Sequence, residues 1–298
     1  MKILITGAGG FVGKNLLEGL SSRYEIFAPR SKELDLTDFR AVEQYLKRNS
    51  INIVVHAAVH SALAVSREEG FQTDLRMLVN LTRNLDLLDR LIVFGSGAEY
   101  SKNRDMKKVS ETELGQSMPD DLYGLAKFLT NEIVRREPKM VNLRLFGVYG
   151  PYEDYRHKFI SNAIVKNLLR MPIKIKQDVI FDYLYVTDLV PIVEYFINHQ
   201  TKHRDYNVST TKSIKLSEIA EIINQVAEEK SEITIVNPEY NYQYTGDNTR
   251  LRQEIPEWTI VGYRAGIKKL YDYYREIISN LDREGIENDA YFKKTNIK

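Results

Sequence analysis

Tyr123 and Lys127 stand four residues apart in the run Tyr123-Gly124-Leu125-Ala126-Lys127, a spacing that puts both side chains on one face of a helix. A phenol with an ordinary pKa near ~10 exchanges protons poorly at neutral pH, and a neighbouring ammonium favours the phenolate, so the pair suits proton transfer. No other tyrosine among the 19 has a lysine four residues on. Ser96 lies in a run of small residues, Gly95-Ser96-Gly97-Ala98, directly after a predicted strand; there a backbone can approach closely and a hydroxyl can bond a carbonyl oxygen beside Tyr123. The third constellation is Gly7-Ala8-Gly9-Gly10-Phe11-Val12-Gly13, which follows a strand and opens a helix. Gly7 permits the tight turn, Gly10 lets backbone N–H groups near a pyrophosphate, and Gly13 lets helix pack on strand, with the helix N-terminus favouring the phosphate charge.

Which dinucleotide such a turn takes depends on the end of the second strand. A carboxylate there bonds the adenosine 2′-hydroxyl of NAD, whereas a cation there meets the 2′-phosphate of NADP. The segment reads Phe27-Ala28-Pro29-Arg30-Ser31, with no acid before Glu33. Arg30 offers a planar fork and Ser31 a further hydrogen bond, so NADP(H) is favoured and NAD(H) stays possible.

The elements that must position these groups alternate in the manner of a parallel sheet wrapped by helices. Strands are predicted at Lys2 to Thr6, Glu25 to Ala28, Ile53 to His56, Leu91 to Phe94, Met140 to Leu145 and Tyr206 to Val208. Helices are predicted at Phe11 to Leu20, Phe39 to Lys47 with Thr37 as N-cap, Gln72 to Leu87, and Leu122 to Arg135 stopped by Pro138. Regular alternation ends near Gly150-Pro151. Helices at Phe159 to Leu169, Leu216 to Glu228 and Arg264 to Asn280 then mix with strands at Ile173 to Ile175 and Glu232 to Val236. The expected architecture is α/β: a Rossmann-type doubly wound parallel sheet over residues 1–150, to which 178–210 return, with a smaller C-terminal α/β substrate lobe from 151–177 and 211–298. The last dozen residues read as a loose polar tail.

Composition narrows the classes. The 298 residues are 43% hydrophobic, 28% charged and 10% aromatic, with a net charge of +1. That describes a globular chain with a sizeable core and gives no electrostatic reason to expect nucleic acid or an anionic membrane. Zero cysteines exclude disulfides, thiolate metal sites and cysteine nucleophiles. The opening apolar run is too short for a signal peptide, and the longest uncharged stretch, Asn49 to Ser66, is too polar to span a bilayer. A cytoplasmic protein is expected. His199 and His203 are four apart, as a metal pair or an exposed helix end; Tyr240, Tyr242 and Tyr244 alternate, as stacking residues or surface packing.

Taken together the sequence resembles the extended short-chain dehydrogenase/reductase family of nucleotide-sugar epimerases, dehydratases and reductases. Thr6-Gly7 through Gly13, Leu34-Asp35-Leu36, His56-Ala57-Ala58, Ser96, Tyr123 with Lys127, Leu143 through Pro151, and Asp182 through Asp188 carry the resemblance, which covers nearly the whole chain. It implies that Asp35 and Leu36 border the adenine, that Ala57, Ala58, Val59, Phe146 and Val148 line the cofactor, and that the C-terminal lobe holds a sugar nucleotide. It also implies a homodimer through a four-helix bundle, for which the apolar stripes of Gln72 to Leu87 and Leu122 to Arg135 are wide enough. Within the family, GDP-fucose synthase-like reductases are most similar around Arg30 and the loop from Pro151 to Asn162. That type epimerises with a cysteine, here Ala98, and a histidine, which falls near Lys158 with His157 adjacent. Phe181 stands where an arginine often meets nucleotide phosphates, leaving Lys166, Lys174 and Lys176 as replacement cations.

The expected activity is therefore NADPH-dependent reduction of a nucleotide-linked 4-keto-6-deoxy sugar. Tyr123 would protonate the alkoxide, Lys127 would tune Tyr123 and hold the nicotinamide ribose, and Ser96 would polarise the carbonyl, with Gly97, Lys158, Lys166 and Lys174 toward the substrate. An NAD-retaining nucleotide-sugar 4-epimerase is the alternative. A non-catalytic NADP-sensing regulator is a third, disfavoured because a sensor needs none of Ser96, Tyr123 and Lys127.

Overall fold

The structure is a computed structural model, and it describes residues 1–60 and 66–295; part of the uncharged Asn49 to Ser66 stretch and the end of the expected tail lie outside them. In chain order the strands are β1 (Lys2–Thr6), β2 (Glu25–Phe27), β3 (Ile53–His56), β4 (Arg90–Ser96), β5 (Met106–Val109), β6 (Met140–Leu145), β7 (Gly147–Tyr149), β8 (Ile173–Asp178), β9 (Ile180–Phe181), β10 (Tyr183–Tyr185), β11 (Asp205–Val208), β12 (Ile214–Lys215), β13 (Ile233–Tyr240) and β14 (Tyr244–Gly246). The helices are α1 (Phe11–Leu20), α2 (Phe39–Asn49), α3 (Arg67–Thr82), α4 (Leu122–Val134), α5 (Phe159–Leu168), α6 (Leu189–Asn198), α7 (Leu216–Val226), α8 (Thr249–Glu254), α9 (Tyr263–Ile277), α10 (Arg283–Glu287) and α11 (Ala290–Lys294).

Six strands form one parallel sheet in the order β11-β6-β4-β3-β1-β2. Its double winding follows from the period of the strand. Ile3 and Ile5 face one side, with Val55, Ile92 and Leu143, and meet Leu16 and Leu20 of α1 and Ile192 and Phe196 of α6. Leu4, between them, faces the other side with Val54, Leu91 and Val93, against Val42 of α2, Leu81 of α3 and Val134 of α4. From β1 the chain runs outward to β2 and then returns past β1 to β3, so the switch in winding, where ligands of such sheets bind, lies at the carboxyl ends of β1 and β3.

The C-terminal part has its own core, in which α5, α7 and α9 bring together Ile164, Ile219, Ile223, Ile267 and Leu270 above Ile173 and Ile175 of β8. Three small sheets surround it: β10-β7, β13-β8 and the mixed four-stranded β12-β9-β14-β5. The last includes β5 from the first 150 residues, paired parallel with β14, so the two parts are stitched by a strand that periodicity did not suggest. Among the described residues no helix is long and apolar enough to cross a membrane.

Local differences from expectation have local causes. The N-cap of α2 is Asp38, which accepts from the N–H groups of Arg40 and Ala41, while Thr37 turns back and donates from both its N–H and its hydroxyl to Asp35. The helix expected at Gln72 starts earlier, because Ser66 accepts from Glu69 N–H and Glu68 and Glu69 complement the helix N-terminus. It also ends earlier, and Leu85–Leu87 forms a separate 3₁₀ turn. The tail is not loose as far as it is described: α11, capped by Asp289, lays Tyr291 against Phe159 at 5.6 Å between ring centroids.

Candidate active site

An open cleft of about 1270 Å³ runs along the carboxyl ends of β1, β2 and β3. Its floor is the glycine turn, where Gly7, Gly10, Phe11 and Val12 line the space. Two glycines there are required by geometry. Gly7 has φ +68°, and a Cβ on it would come within 2.6 Å of the Ala58 backbone; a Cβ on Gly13 would lie 2.2 Å from the Gly7 carbonyl oxygen. Gly9 faces open space, with no atom of the described residues within 4 Å of a Cβ built there. A backbone this close, free N–H groups at a helix start and a cleft of that size fit a dinucleotide pyrophosphate.

Arg30 and Ser31 line the far end of the cleft with Asp35 and Leu36. Glu33 accepts from the Arg30 backbone N–H at 2.7 Å rather than pairing with its guanidinium. The Asn80 side chain, buried, donates to the Leu36 carbonyl and ties this loop to α3. On the β3 side Ala57, Ala58, Val59 and His60 line the cleft. Here His56 is buried; burial, reinforced by the Lys127 ammonium, pulls its pKa down to about 3. The neutral ring shares a hydrogen bond of 2.8 Å with Thr6 Oγ1, which in turn accepts from Ala58 N–H, so the β3 loop is anchored to β1.

That pairing makes stability depend on pH in a definite direction. The folded pKa of His56 lies below the unfolded value near ~6.5, so its contribution is complete above about 6.5 and is lost as pH falls toward 3. Unfolding free energies from urea titrations at pH 4 to 7 should rise with pH more steeply for the natural protein than for His56→Gln, by up to ~1.4 kcal/mol per pH unit. Parallel curves would refute this account of His56.

Tyr123 enters the same cleft from the first turn of α4 and is 47% exposed. Asp121 caps that helix by accepting from Gly124 N–H, and a Cβ on Gly124 would lie 2.8 Å from the Ala98 carbonyl oxygen, so α4 starts hard against the loop after β4. Lys127 lies 5.9 Å from the Tyr123 ring centroid, and its ammonium donates to the Phe94 carbonyl at 2.8 Å. Ser96, buried at the end of β4, caps the 3₁₀ turn that follows: its hydroxyl accepts from Ala98 N–H while Glu99 reaches back to Ser96 N–H at 3.0 Å. Glu99 in turn is held at 2.7 Å by Arg144, which is wholly buried and also bonds Asp205 and Asn207. Of the expected catalytic residues only Tyr123 lines the cleft; Ser96 and Lys127 lie behind its lining, and the Arg144 to Glu99 brace beneath Ser96 carries no local sequence signal.

Across the cleft Lys158, the residue before α5, completes the lining. His157 instead bonds Asp154 through Nδ1 and meets Lys294 through Nε2. Behind Lys158, burial pushes the Glu153 carboxyl up to about 7, although the Ser161 hydroxyl donates to it at 2.5 Å and the charge of Lys158 favours ionisation.

Other expected site residues lie elsewhere. Phe146 and Val148 are not part of the cleft lining; Phe146 packs on Tyr100 and Tyr244, and Val148 pairs with Leu184 and packs on the sheet core. Gly97 is buried beneath Tyr244. Lys166 is 2% exposed and paired at 2.8 Å with Asp289, because a buried ammonium requires a carboxylate; it offers no charge to the cleft. Lys176 donates to the Thr295 carbonyl, and Lys174 lies on an exposed face of β8. Of the two separated histidines, His199 stacks on Tyr195 at 4.3 Å and bonds its carbonyl.

A six-stranded parallel sheet with a glycine turn feeding a long cleft at its switch point defines a dinucleotide-binding α/β protein. The chain belongs to the NAD dependent epimerase/dehydratase family, whose model matches residues 3–209, and thus to enzymes that act on nucleotide sugars with NAD(P). It is similar to the GDP-L-colitose synthase of Yersinia pseudotuberculosis, 27% identical over 256 residues that cover 76% of this chain and 82% of that one. Among solved structures it is similar to MlghC, the GDP-mannoheptose C4 reductase from Campylobacter jejuni with NADP bound, at a TM-score of 0.79 and 21% identity over 92% of this chain and 98% of that one. A GDP-L-fucose synthetase from Naegleria fowleri superposes at 0.81 with 16% identity, over 95% of both chains.

Proposed function

We propose that this protein is an NADPH-dependent reductase of a nucleotide-linked 4-keto-6-deoxy sugar. The observation that carries the reading is the end of β2, where Arg30 and Ser31 face the cleft, Glu33 turns to the backbone, and no acid stands in the place that holds the ribose of NAD. A cofactor gripped by its 2′-phosphate and released each turnover serves net reduction. The relatives that make or reduce GDP-linked sugars support the same substrate class. Ala98, fully buried where an epimerising relative has its acid, and His157, engaged by Asp154, leave the pair of proton carriers for epimerisation incomplete.

The dinucleotide, when bound, supplies the hydride; Gly7 to Val12 would hold its pyrophosphate, Arg30 and Ser31 its 2′-phosphate, and Ala57 to Val59 the adjoining face. Ser96 donates its hydroxyl proton in a hydrogen bond to the keto oxygen, and Tyr123 delivers a proton to that oxygen as it gains charge. Lys127, fixed on the Phe94 carbonyl, keeps a positive charge beside the Tyr123 ring. Lys158 lines the cleft and would offer its cation to the phosphates of the sugar nucleotide. Helices α3 and α4 pack side by side, and Val79 is exposed on α3. In the proposed homodimer the two pairs would form a four-helix bundle.

Denaturing the purified protein and identifying any released dinucleotide tests the reading. Protein that is largely empty and consumes NADPH with a GDP-4-keto-6-deoxy sugar supports it; stoichiometric bound NAD would overturn the reading of Arg30 and put the NAD-retaining epimerase first. Arg30→Asp should weaken NADPH binding by roughly 10- to 100-fold while leaving NADH binding nearly unchanged, read by fluorescence titration. Equal losses for both cofactors would remove Arg30 from the 2′-phosphate.

A further inference from the structure

Three tyrosines alternate near the end of the C-terminal small sheets, and the fold separates them. Tyr240 and Tyr242 are exposed, whereas Tyr244, on β14, turns inward until its hydroxyl stands 3.5 Å from Ser96 Oγ. The fit is built from both sides. The Tyr244 ring lies between Phe146 and Phe181, with centroids at 5.5 and 5.7 Å. Glycine at 97 leaves room for it, since a Cβ there would come within 2.6 Å of Tyr244 Oη. The pairing of β14 with β5 and β9 holds its backbone.

The hydrogen-bond inventory of Ser96 gives this contact a consequence. A serine hydroxyl has one proton and two lone pairs. One lone pair already accepts from Ala98 N–H at 3.2 Å. Burial raises the Tyr244 pKa, so its oxygen keeps a proton to give. If that proton goes to the second lone pair of Ser96, the proton of Ser96 has no acceptor within the protein's own loop and is left for a substrate oxygen.

We propose that Tyr244 is a positioning residue for Ser96: by donating to Ser96 Oγ it directs the serine proton to the keto oxygen. The inference rests on the proposed reduction, in which Ser96 polarises the carbonyl. At 3.5 Å the contact is longer than the ~2.7 Å of a formed O–H···O bond, and catalytic hydrogen bonds commonly tighten once the site is loaded.

The contact is read first on the unsubstituted protein, in a crystal structure with NADP⁺ bound. A Tyr244 to Ser96 separation that shortens toward about 2.8 Å supports the proposal; one that stays at 3.5 Å or opens overturns it, whether or not a keto sugar is reduced. The kinetic test is a double-substitution cycle. Tyr244→Phe keeps the ring and removes the proton, so kcat should fall about tenfold with KM within about twofold, and the same change in a Ser96→Ala background should cost nothing further. An equal fall in both backgrounds would mean that Tyr244 touches the substrate on its own account, and no fall in either would mean idle packing; both overturn the proposal. Failure of the natural protein to reduce any keto sugar would instead sink the proposed function, and the distance alone would then decide on Tyr244.

Discussion

Tyr123→Phe is expected to lower kcat for keto-sugar reduction about 10³-fold, with NADPH affinity unchanged, as measured by NADPH absorbance under saturating sugar nucleotide and by separate cofactor titration. The substitution is clean because of how α4 begins. The ring is set by the helix start, which Asp121 caps through Gly124 N–H and which abuts the Ala98 carbonyl. None of these contacts involves the phenolic oxygen, so phenylalanine should occupy the same place. What disappears is the proton beside Lys127, at the point where the cleft passes from the cofactor floor toward Lys158. Lys158 is the rival donor, because it also lines the cleft and can carry a proton. The two are distinguished by Lys158→Met, which should raise KM for the sugar nucleotide and leave kcat within about tenfold. A larger fall in kcat for Lys158→Met than for Tyr123→Phe would transfer the acid to Lys158.

How much of this was legible in the chain depends on the range over which each feature is determined. The central sheet is legible because its strands carry continuous apolar runs, such as residues 3–5 and 91–94, whose alternate residues face two helical layers. The glycine turn is legible because its local determinants lie within a few residues: Gly7 takes φ +68°, and Gly13 packs on the Gly7 carbonyl oxygen. The four-stranded sheet β12-β9-β14-β5 is not. Its strands are two to four residues long, and what makes them strands is pairing between segments far apart in the chain, such as Tyr244 with Met106 and with Phe181. The same range hides the partners of charged groups. Lys166 reads as a free cation until Asp289 is folded against it, and Tyr244 reads like Tyr240 and Tyr242 until β14 is placed. The choice between His157 and Lys158 needed the start of α5 to be set in space, because adjacent residues at a helix start point in different directions.

The largest effect on stability is expected at Arg144, which is fully buried beneath Ser96 between Glu99 and Asp205. Burial disfavours its charge, yet Glu99, Tyr100 and Asp205 hold it protonated; burial would likewise raise Asp205, yet Arg144, Arg135 and Arg250 hold it below the usual carboxylate range. The cluster is stable because every member is paired. Arg144→Met removes the cation and leaves Glu99 buried without its 2.7 Å partner, which should cost roughly 3–5 kcal/mol in urea unfolding. The cost belongs to the stranded charge more than to the lost contact, and this separates it from a simple cavity. Arg144→Met with Glu99→Leu should therefore be more stable than Arg144→Met alone, even though it deletes more hydrogen bonds. Equal or lower stability of the double variant would mean that the brace works by shape. The double variant should nonetheless lose turnover, because Ser96 N–H and the 3₁₀ turn after β4 would no longer have the Glu99 carboxylate to hold them. Arg144 and Glu99 thus tie the stability of the sheet edge to the geometry of the hydroxyl that, in the proposed mechanism, would meet the substrate.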